Sequence, residues 1–439
     1  MAVPDVALDV ESGAIMETVR APKGMNDLFE DELVTWRHLE RTVREVFLSY
    51  GFGEVRTPVV EEAELFVRGV GEGTDIVGKE MFIFPDRDPR APKQLCLRPE
   101  NTAGVVRAMI ENGKIVADAY WKVFYLGPQF RNERPQAGRY RQFHQLGCEV
   151  LGYAEPAADI EVIASAHTIL TRLGITDVAL HLSSIGDAAD RPRYKEALLA
   201  YLQPHEAALS DDSKRRLRVN PLRILDSKDE ADRRICADAP KPLDFLSDEA
   251  RAHFDAVKAG LERLGIPYRV DPLLVRGLDY YTRTVFELIG THGLGAQSTV
   301  IAGGRYDGLV AELGGRPTPA VGYAGGVERL VLVMRALGLT APAPTPALMV
   351  IGADDAGHAR CAELAFALRR DGLAVEVDLR GRSVKAQMRH ADRAGARFTA
   401  VVGSSEIERG TVSVKNMAAG SVESIPLTAE ALARACRGT

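Results

Sequence analysis

At 439 residues and 47.7 kDa the chain is too long for one ordinary core and implies two or three domains. Hydrophobic residues at 46% and charged residues at 26% have the balance of a globular chain, which excludes disorder throughout. The formal charge of -6 excludes a non-specific nucleic-acid coat, which needs an excess of Lys and Arg, but leaves room for a local RNA site.

The N-terminal residues carry Asp5, Asp9 and Glu11 and lack the basic and apolar blocks of a secretory signal. No apolar run is long enough to cross a bilayer, so a cytoplasmic chain with no membrane partner is expected. Over residues 32–50 the apolar positions Leu33, Trp36, Leu39, Val43, Val46, Phe47 and Tyr50 recur at three- and four-residue intervals and predict an amphipathic helix ended by Gly51. Residues 53–60 read as one strand broken by Pro58, suited to an edge or interface. Residues 120–130 and 140–151 predict the two strands of a long hairpin around the polar loop 131–139. A helix is expected over 156–173, and the charged stretch of about 190–262 is expected as a helical insertion. Strand signals return at 268–275 and 282–289, followed by a glycine-rich turn at Gly303-Gly304 and an apolar helix over 325–337.

The proline-rich stretch 338–346 is an extended, semi-rigid linker. Beyond it, strands near 347–352, 374–379 and 398–403 alternate with helices and predict a small α/β domain. Residues 347–439 hold 13 Lys+Arg against 11 Asp+Glu, a mildly basic +2 on a body of -8. Lys385, Arg389, Arg393 and Arg397 stand four apart and form one basic stripe on the expected helix. Cys96, Cys148, Cys236, Cys361 and Cys436 show no paired spacing, so neither a disulfide framework nor a zinc site is expected.

The segment most informative about chemistry is residues 130–145, Phe-Arg-Asn-Glu-Arg-Pro-Gln-Ala-Gly-Arg-Tyr-Arg-Gln-Phe-His-Gln. Guanidinium groups suit phosphate because they stay charged and offer a bidentate fork. On a strand beginning near Tyr140, Arg141, Phe143, Gln145, Gly147 and Glu149 share one face and form a binding platform. His144 falls on the other face and is expected to be structural.

This segment resembles motif 2 of the class II aminoacyl-tRNA synthetases, and its continuation through Leu146-Gly147-Cys148-Glu149 resembles the histidyl-tRNA synthetases. Val55-Arg56-Thr57-Pro58 is similar to motif 1 at the dimer interface, and residues 322–332 to motif 3. Residues 274–284 and 302–309 resemble two peptides particular to the histidyl enzymes, and residues 378–385 and 412–417 the anticodon-binding domain of the subclass. The resemblance runs from about Pro22 to near Pro426. It departs at Asn101, where a smaller residue, often glycine, is expected.

The resemblance implies a class II synthetase-like α+β catalytic domain built on an antiparallel sheet over 22–338, interrupted by the helical insertion. An N-terminal extension (1–21), a linker (339–346) and an α/β anticodon-binding domain (347–439) complete the chain, and a homodimer is implied. The implied activity is histidine–tRNA ligation: L-histidine is activated with ATP to histidyl-adenylate and moved to the 3′ end of tRNA(His), with Mg2+ accompanying the ATP. Arg131, Arg276 and Arg329 carry catalysis, with Arg131 and Arg276 on opposite sides of the α-phosphate. Glu133 meets the adenine amino group, and Phe143 with Arg329 sandwiches the ring. Glu100, Thr102 and Gln145 bind the α-amino group, while Glu149 and Tyr281 read the imidazole, with Tyr280 and Arg276 in the same histidine site. Arg134, Gln136 and Arg139 meet the tRNA acceptor end, and Arg382, Lys385 and Lys415 the anticodon.

Two rival readings are a synthetase-like regulatory subunit of histidine biosynthesis and a generic RNA-binding module. The first lacks an anticodon-binding domain and erodes the catalytic arginines, whereas this chain has Arg131, Arg276, Arg329 and a full C-terminal domain.

Overall fold

The computed structural model describes residues 18–71, 74–88, 93–275, 278, 280–290, 292, 294, 298–340 and 343–437. The chain separates between Ala341 and Pro342 into two compact units.

The first unit opens with α1 (Glu30–Ser49), which buries Trp36, Leu39, Val43, Val46 and Phe47 along one stripe. Gly51, at φ +77°, turns the chain out of it. Next come β1 (Gly53–Glu54), β2 (Val60–Glu62), α2 (Ala63–Val70), β3 (Phe82–Pro85), β4 (Gln94–Leu97) and α3 (Thr102–Glu111). The single strand expected over 53–60 is therefore two short strands in separate sheets. Between them the carbonyls of Thr57 (2.8 Å) and Pro58 (3.3 Å) are taken by the buried guanidinium of Arg98.

The hairpin forms as expected, from β5 (Trp121–Phe130) and β6 (Gln142–Leu151), in unbroken register from Trp121↔Leu151 to Phe130↔Gln142. There follow α4 (Pro156–Arg172), β7 (Val178–Ser184), α5 (Asp190–Leu202), α6 (Asp211–Val219), α7 (Glu230–Ala237), α8 (Asp248–Arg263) and β8 (Arg269–Val270). The unit closes with β9 (Thr282–Gly290), β10 (Thr299–Arg305), α9 (Leu309–Glu312), β11 (Ala320–Gly326) and α10 (Val327–Ala336).

Eight strands form one sheet in the order β1-β5-β6-β11-β10-β9-β7-β8, antiparallel except where β1 joins β5 and β8 joins β7. The sheet is thus assembled from strands far apart in sequence. A smaller antiparallel sheet has the order β2-β4-β3. On one face of the large sheet, α1, α4, α8 and α10 bury a continuous core that includes Phe47, Ile163, Phe254, Phe286 and Leu330. The other face is covered in part by α3 and a group of tyrosines, and is otherwise open to the site.

The helical stretch 190–262 divides in two. Residues of α5, α6 and α7 surround their own small core of Tyr194, Leu198, Leu202, Leu217 and Cys236, whereas α8 turns Phe254, Val257 and Leu261 into the main core against α4. A charged helical pattern does not reveal which core a helix serves. Gly303 and Gly304 are not a turn: they lie inside β10. Residues 320–326, unassigned between that turn and the last helix, are β11, the central neighbour of both β6 and β10. The expected strand over 268–275 shrinks to the two residues of β8.

In the second unit, β12 (Leu348–Gly352), α11 (Asp355–Arg370), β13 (Val375–Val377), α12 (Val384–Arg393) and β14 (Phe398–Val402) follow the expected alternation. The chain continues through α13 (Ser404–Arg409), the hairpin β15 (Thr411–Asn416) and β16 (Val422–Pro426), and α14 (Ala429–Arg437). The order is β13-β12-β14-β15-β16, the first three parallel and the last two antiparallel. Arg397 does not extend the stripe of Lys385, Arg389 and Arg393. The helix stops at Arg393, Gly395 takes φ +65°, and the Arg397 guanidinium turns to the carbonyl of Cys436 at 3.2 Å.

Candidate active site

A cavity of about 1030 Å³ opens on the face of the large sheet away from its helices. Its floor is made by β6, β9, β10 and β11, with walls from the start of α3, the turn 75–80, the loop 133–140 and residues 210–229 of the insertion.

At one end stand Glu100, Thr102, Gln145, Tyr280, Tyr281 and Tyr306. Glu100 is buried at the start of α3, where its carboxylate accepts the free amides of Thr102 (2.7 Å) and Ala103 (2.9 Å). Burial still pushes its carboxyl above the usual range. The Thr102 hydroxyl donates to Glu149 at 2.7 Å, and Tyr125 (3.3 Å) and Tyr306 donate to the same carboxylate. Burial pushes the Glu149 carboxyl up to about 8, against the pull of these hydroxyls. Glu149 is wholly buried and does not line the cavity. The groups that face the cavity there are Thr102 and Tyr306, both bonded to it. Gln145 faces the cavity with a buried side-chain oxygen that has no hydrogen-bond partner among the described residues. It is an acceptor waiting for a donor.

Two glycines let the backbone close on this cluster. A Cβ on Gly147 would lie 2.4 Å from the Tyr125 hydroxyl, and one on Gly322 would lie 1.9 Å from the Glu149 carboxylate. Side chains at these positions would occupy the space of the acid and its donor.

Toward the start of β6 stand Glu133, Phe143 and Arg329, and Arg131 lies between this group and Glu100, whose burial-raised carboxyl its charge draws down. The Arg131 guanidinium lies 5.2 Å from the Phe143 ring centre, with Nε donating to the Pro99 carbonyl at 3.0 Å. Arg329 is held by the carbonyls of Gly138 (3.0 Å) and Thr299 (2.8 Å) and lines the cavity with Phe143. Glu133 pairs with Arg139 at 3.1 Å. A cationic, aromatic end and an acidic, hydroxyl-rich end therefore share one enclosure, which suits a nucleotide phosphate meeting an amino acid.

Arg276 lies outside the described residues. Arg141 is not part of the platform: β6 begins one residue later, and the Arg141 Nε turns to the Glu133 carbonyl at 3.2 Å. Arg134 and Gln136 line a smaller adjoining hollow with Lys79 and Arg139, and Arg139 borders both spaces. His144 faces the helices, where its ring meets Glu328 at 3.0 Å and packs edge-on against Trp36. In the second unit Arg382 bonds to Asp378 ahead of α12, Lys385 stands in the first turn of that helix, and Lys415 lies on β15.

A family model described as histidyl-tRNA synthetase matches residues 24–330, and one described as anticodon binding domain matches residues 347–433. The chain belongs to the histidyl-tRNA synthetase family. A histidine–tRNA ligase of Anaeromyxobacter dehalogenans is 50% identical over 399 residues, 91% of this chain and 95% of the relative. One of Cyanothece sp. is 48% identical over 413 residues, 94% of this chain and 95% of the relative. The crystal structure of the apo histidyl-tRNA synthetase of S. aureus superposes with a TM-score of 0.80 at 34% identity, covering 95% of this chain and 99% of that one.

Within this histidyl-tRNA synthetase fold, several cavity residues were not singled out from the sequence. Tyr306 lies in the 302–309 peptide, whose resemblance assigns it no role, and its placement opposite Glu149 depends on β10 and β6 being separated by a single strand. Glu287 lines the cavity from β9 and accepts from Thr299 at 2.8 Å; strand alternation with Val285 was its one sequence signal. Glu80 closes the turn near Arg131, and burial raises its carboxyl. Asn101, where the sequence resemblance led to the expectation of a smaller residue, has an ordinary φ of -115° and accepts a hydrogen bond from Thr57 at 2.8 Å. It ties the motif 1 segment to the start of α3.

Proposed function

We propose that this chain is a histidine–tRNA ligase that forms histidyl-adenylate from L-histidine and ATP and transfers the histidyl group to the 3′ end of tRNA(His). The single observation that carries the reading is the two-ended cavity, in a chain about half identical to relatives named for this activity.

In the first step the ionised carboxylate of histidine attacks the α-phosphorus, and pyrophosphate leaves. That nucleophile needs no general base, so catalysis is positioning and neutralisation of growing charge. Arg131 holds the phosphate from the platform side, and Arg276 is assigned the opposite side by sequence resemblance. Phe143 and Arg329 take the two faces of adenine, with Glu133 at its amino group. The Gln145 oxygen, unpartnered among the described residues, receives the ammonium of histidine together with Glu100 and Thr102. Tyr280, Tyr281 and the Glu149 cluster present the polar groups for the imidazole.

Mg2+ brought in with ATP supplies further neutralisation at the phosphates. Glu287, which lines the cavity from β9, would place a carboxylate beside such an ion.

Arg134, Gln136 and Arg139 guide the acceptor end of the RNA, and Arg382, Lys385 and Lys415 read the anticodon from the second unit. A homodimer is supported by the small sheet, which exposes Val60, Ile83 and Phe84 beside the motif 1 segment. No helix among the described residues is long and apolar enough to cross a membrane; a cytoplasmic location follows from the proposed work in translation.

The regulatory-subunit reading is disfavoured by the anticodon-binding match over 347–433 and by the ligase names of the relatives. Exchange of labelled pyrophosphate into ATP should depend on histidine alone among the amino acids, because polar groups matched to imidazole are left unpaired by other side chains. Equal exchange with glutamine or phenylalanine would sink the proposal.

A further inference from the structure

We propose that Arg305 is a positioning residue for the histidine pocket, holding the Tyr306 hydroxyl on Glu149 from behind the sheet. The inference rests on the functional reading above.

Arg305 and Tyr306 are successive residues, one ending β10 and the next leaving it, and their side chains go to opposite sides of the sheet. Arg305 is fully buried toward α4. Its Nε donates to the two oxygens of Asp159 (3.3 and 3.2 Å), Nη1 to the Tyr153 carbonyl (2.9 Å) and to Asp307 (3.2 Å), and Nη2 to the Glu155 carbonyl (3.2 Å) and again to Asp159. Every N–H of the guanidinium has an acceptor. Asp159 is itself buried on α4 and is met from α8 by His253 Nε2 at 3.2 Å.

This fork pins both partners of the Tyr306–Glu149 hydrogen bond. On the tyrosine side, the Tyr306 amide donates to the Ala320 carbonyl at 2.7 Å, while Asp307, held by Arg305, accepts the Ala320 amide at 3.1 Å. On the acid side, Ala320 begins β11, whose residues Ala320 and Gly322 are in register with Leu151 and Glu149 of β6. The guanidinium therefore locks the end of β10 to the start of β11, which is paired with the strand that carries the acid. The turn 305–307 is where a shift of a fraction of an ångström would slide the hydroxyl off the carboxylate. A lysine here keeps the charge but cannot reproduce the five-donor fork.

A purely structural arginine would change stability and affect both substrates alike. A positioning arginine acts through Tyr306, and the two residues then fail to add. The test is histidine-dependent pyrophosphate exchange in the full-length chain, its Arg305→Lys and Tyr306→Phe variants, and the double variant. Arg305→Lys should raise KM for histidine about tenfold, the scale of one hydrogen bond, and leave KM for ATP within about twofold. In the Tyr306→Phe background the same change should add less than about twofold. Multiplying effects, an equal rise in both KM values, or an unchanged histidine KM in a folded variant would overturn the proposal. If circular dichroism shows that Arg305→Lys does not fold, His253→Leu takes its place, because it removes the Nε2 donor to Asp159 and leaves the arginine intact. Its smaller rise in histidine KM must likewise vanish with Tyr306→Phe, and persistence there overturns the proposal. A parent chain without histidine-dependent exchange would bring down the functional reading itself, whereas additivity in an active parent brings down this inference alone.

Discussion

Arg131 is anchored by the Pro99 carbonyl and lies against Phe143, so its guanidinium is held before any phosphate arrives. Removing one preorganised donor to developing negative charge typically costs roughly 10²–10³ in rate, or about 3 kcal/mol. Arg131→Ala should therefore slow adenylate formation by about that factor with little change in histidine affinity, as read by single-turnover measurement. A near-normal rate would remove Arg131 from catalysis. Glu149 makes a different statement at the same scale. Its carboxyl is pushed by burial up to about 8, whereas an unfolded Glu titrates near about 4.3. Between those values the folded chain keeps a proton that the unfolded chain has lost. Stability is then greatest below the unfolded value and declines as pH rises to about 8. The urea midpoint of the empty protein should fall from about pH 5 to about pH 8, and the Glu149→Gln variant should lose that part of the slope. An identical slope in the variant would mean that the hydroxyls of Thr102, Tyr125 and Tyr306 keep the acid ionised at neutral pH.

Strands β6, β9, β10 and β11 meet through glycine at the points where the site needs the backbone close. A Cβ on Gly303 would stand 2.2 Å from the Gly322 carbonyl, and one on Gly304 would stand 2.5 Å from the Thr284 carbonyl. At Gly322 the obstruction is double, with the Glu149 carboxylate at 1.9 Å and the Cys148 carbonyl at 2.3 Å. Because a carbonyl in a paired strand cannot swing aside, Gly322→Ala should cost on the order of 3 kcal/mol and abolish histidine binding. Gly53→Ala, with nothing within 4 Å of the added carbon, should stay within about 0.5 kcal/mol. Denaturant titration of the two variants separates them, and equal small losses would refute the role given to Gly322.

The two units have separate cores, one around α1, α4 and the large sheet and the other around β12, β14 and α11. Cutting the chain at Gly338 removes Leu339 from the edge of the first core and leaves its fully buried residues and the cavity lining in place. Such a chain should form histidyl-adenylate within about threefold of the full-length rate but charge tRNA about a hundredfold less efficiently, the loss of roughly 3 kcal/mol of RNA binding. Undiminished charging would refute the division of labour between catalysis and anticodon reading.

Much of this molecule is written locally. The three- and four-residue repeat of Trp36, Leu39, Val43 and Phe47 is enough for α1, and two apolar runs around a polar, arginine-rich loop are enough for the β5–β6 hairpin. Alternation along β6 also put Phe143 and Gln145 on the face that lines the cavity, because it needs no partner, but it did not show that Arg141 lies outside the strand or that Glu149 is buried beneath its donors. Other features depended on chain segments distant in sequence. Gly303 and Gly304 look like a turn until a neighbouring strand requires a bare backbone, and β11, Ala-Val-Gly-Tyr-Ala-Gly-Gly, has too few large side chains to announce a strand. Arg305 and Asp159 look like surface charges until folding brings them together in the core, 146 residues apart. Periodicity records which side of an element faces inward, but burial of a charge, or the approach of two backbones, is decided by whatever packs against it, and that is settled only when the whole sheet closes.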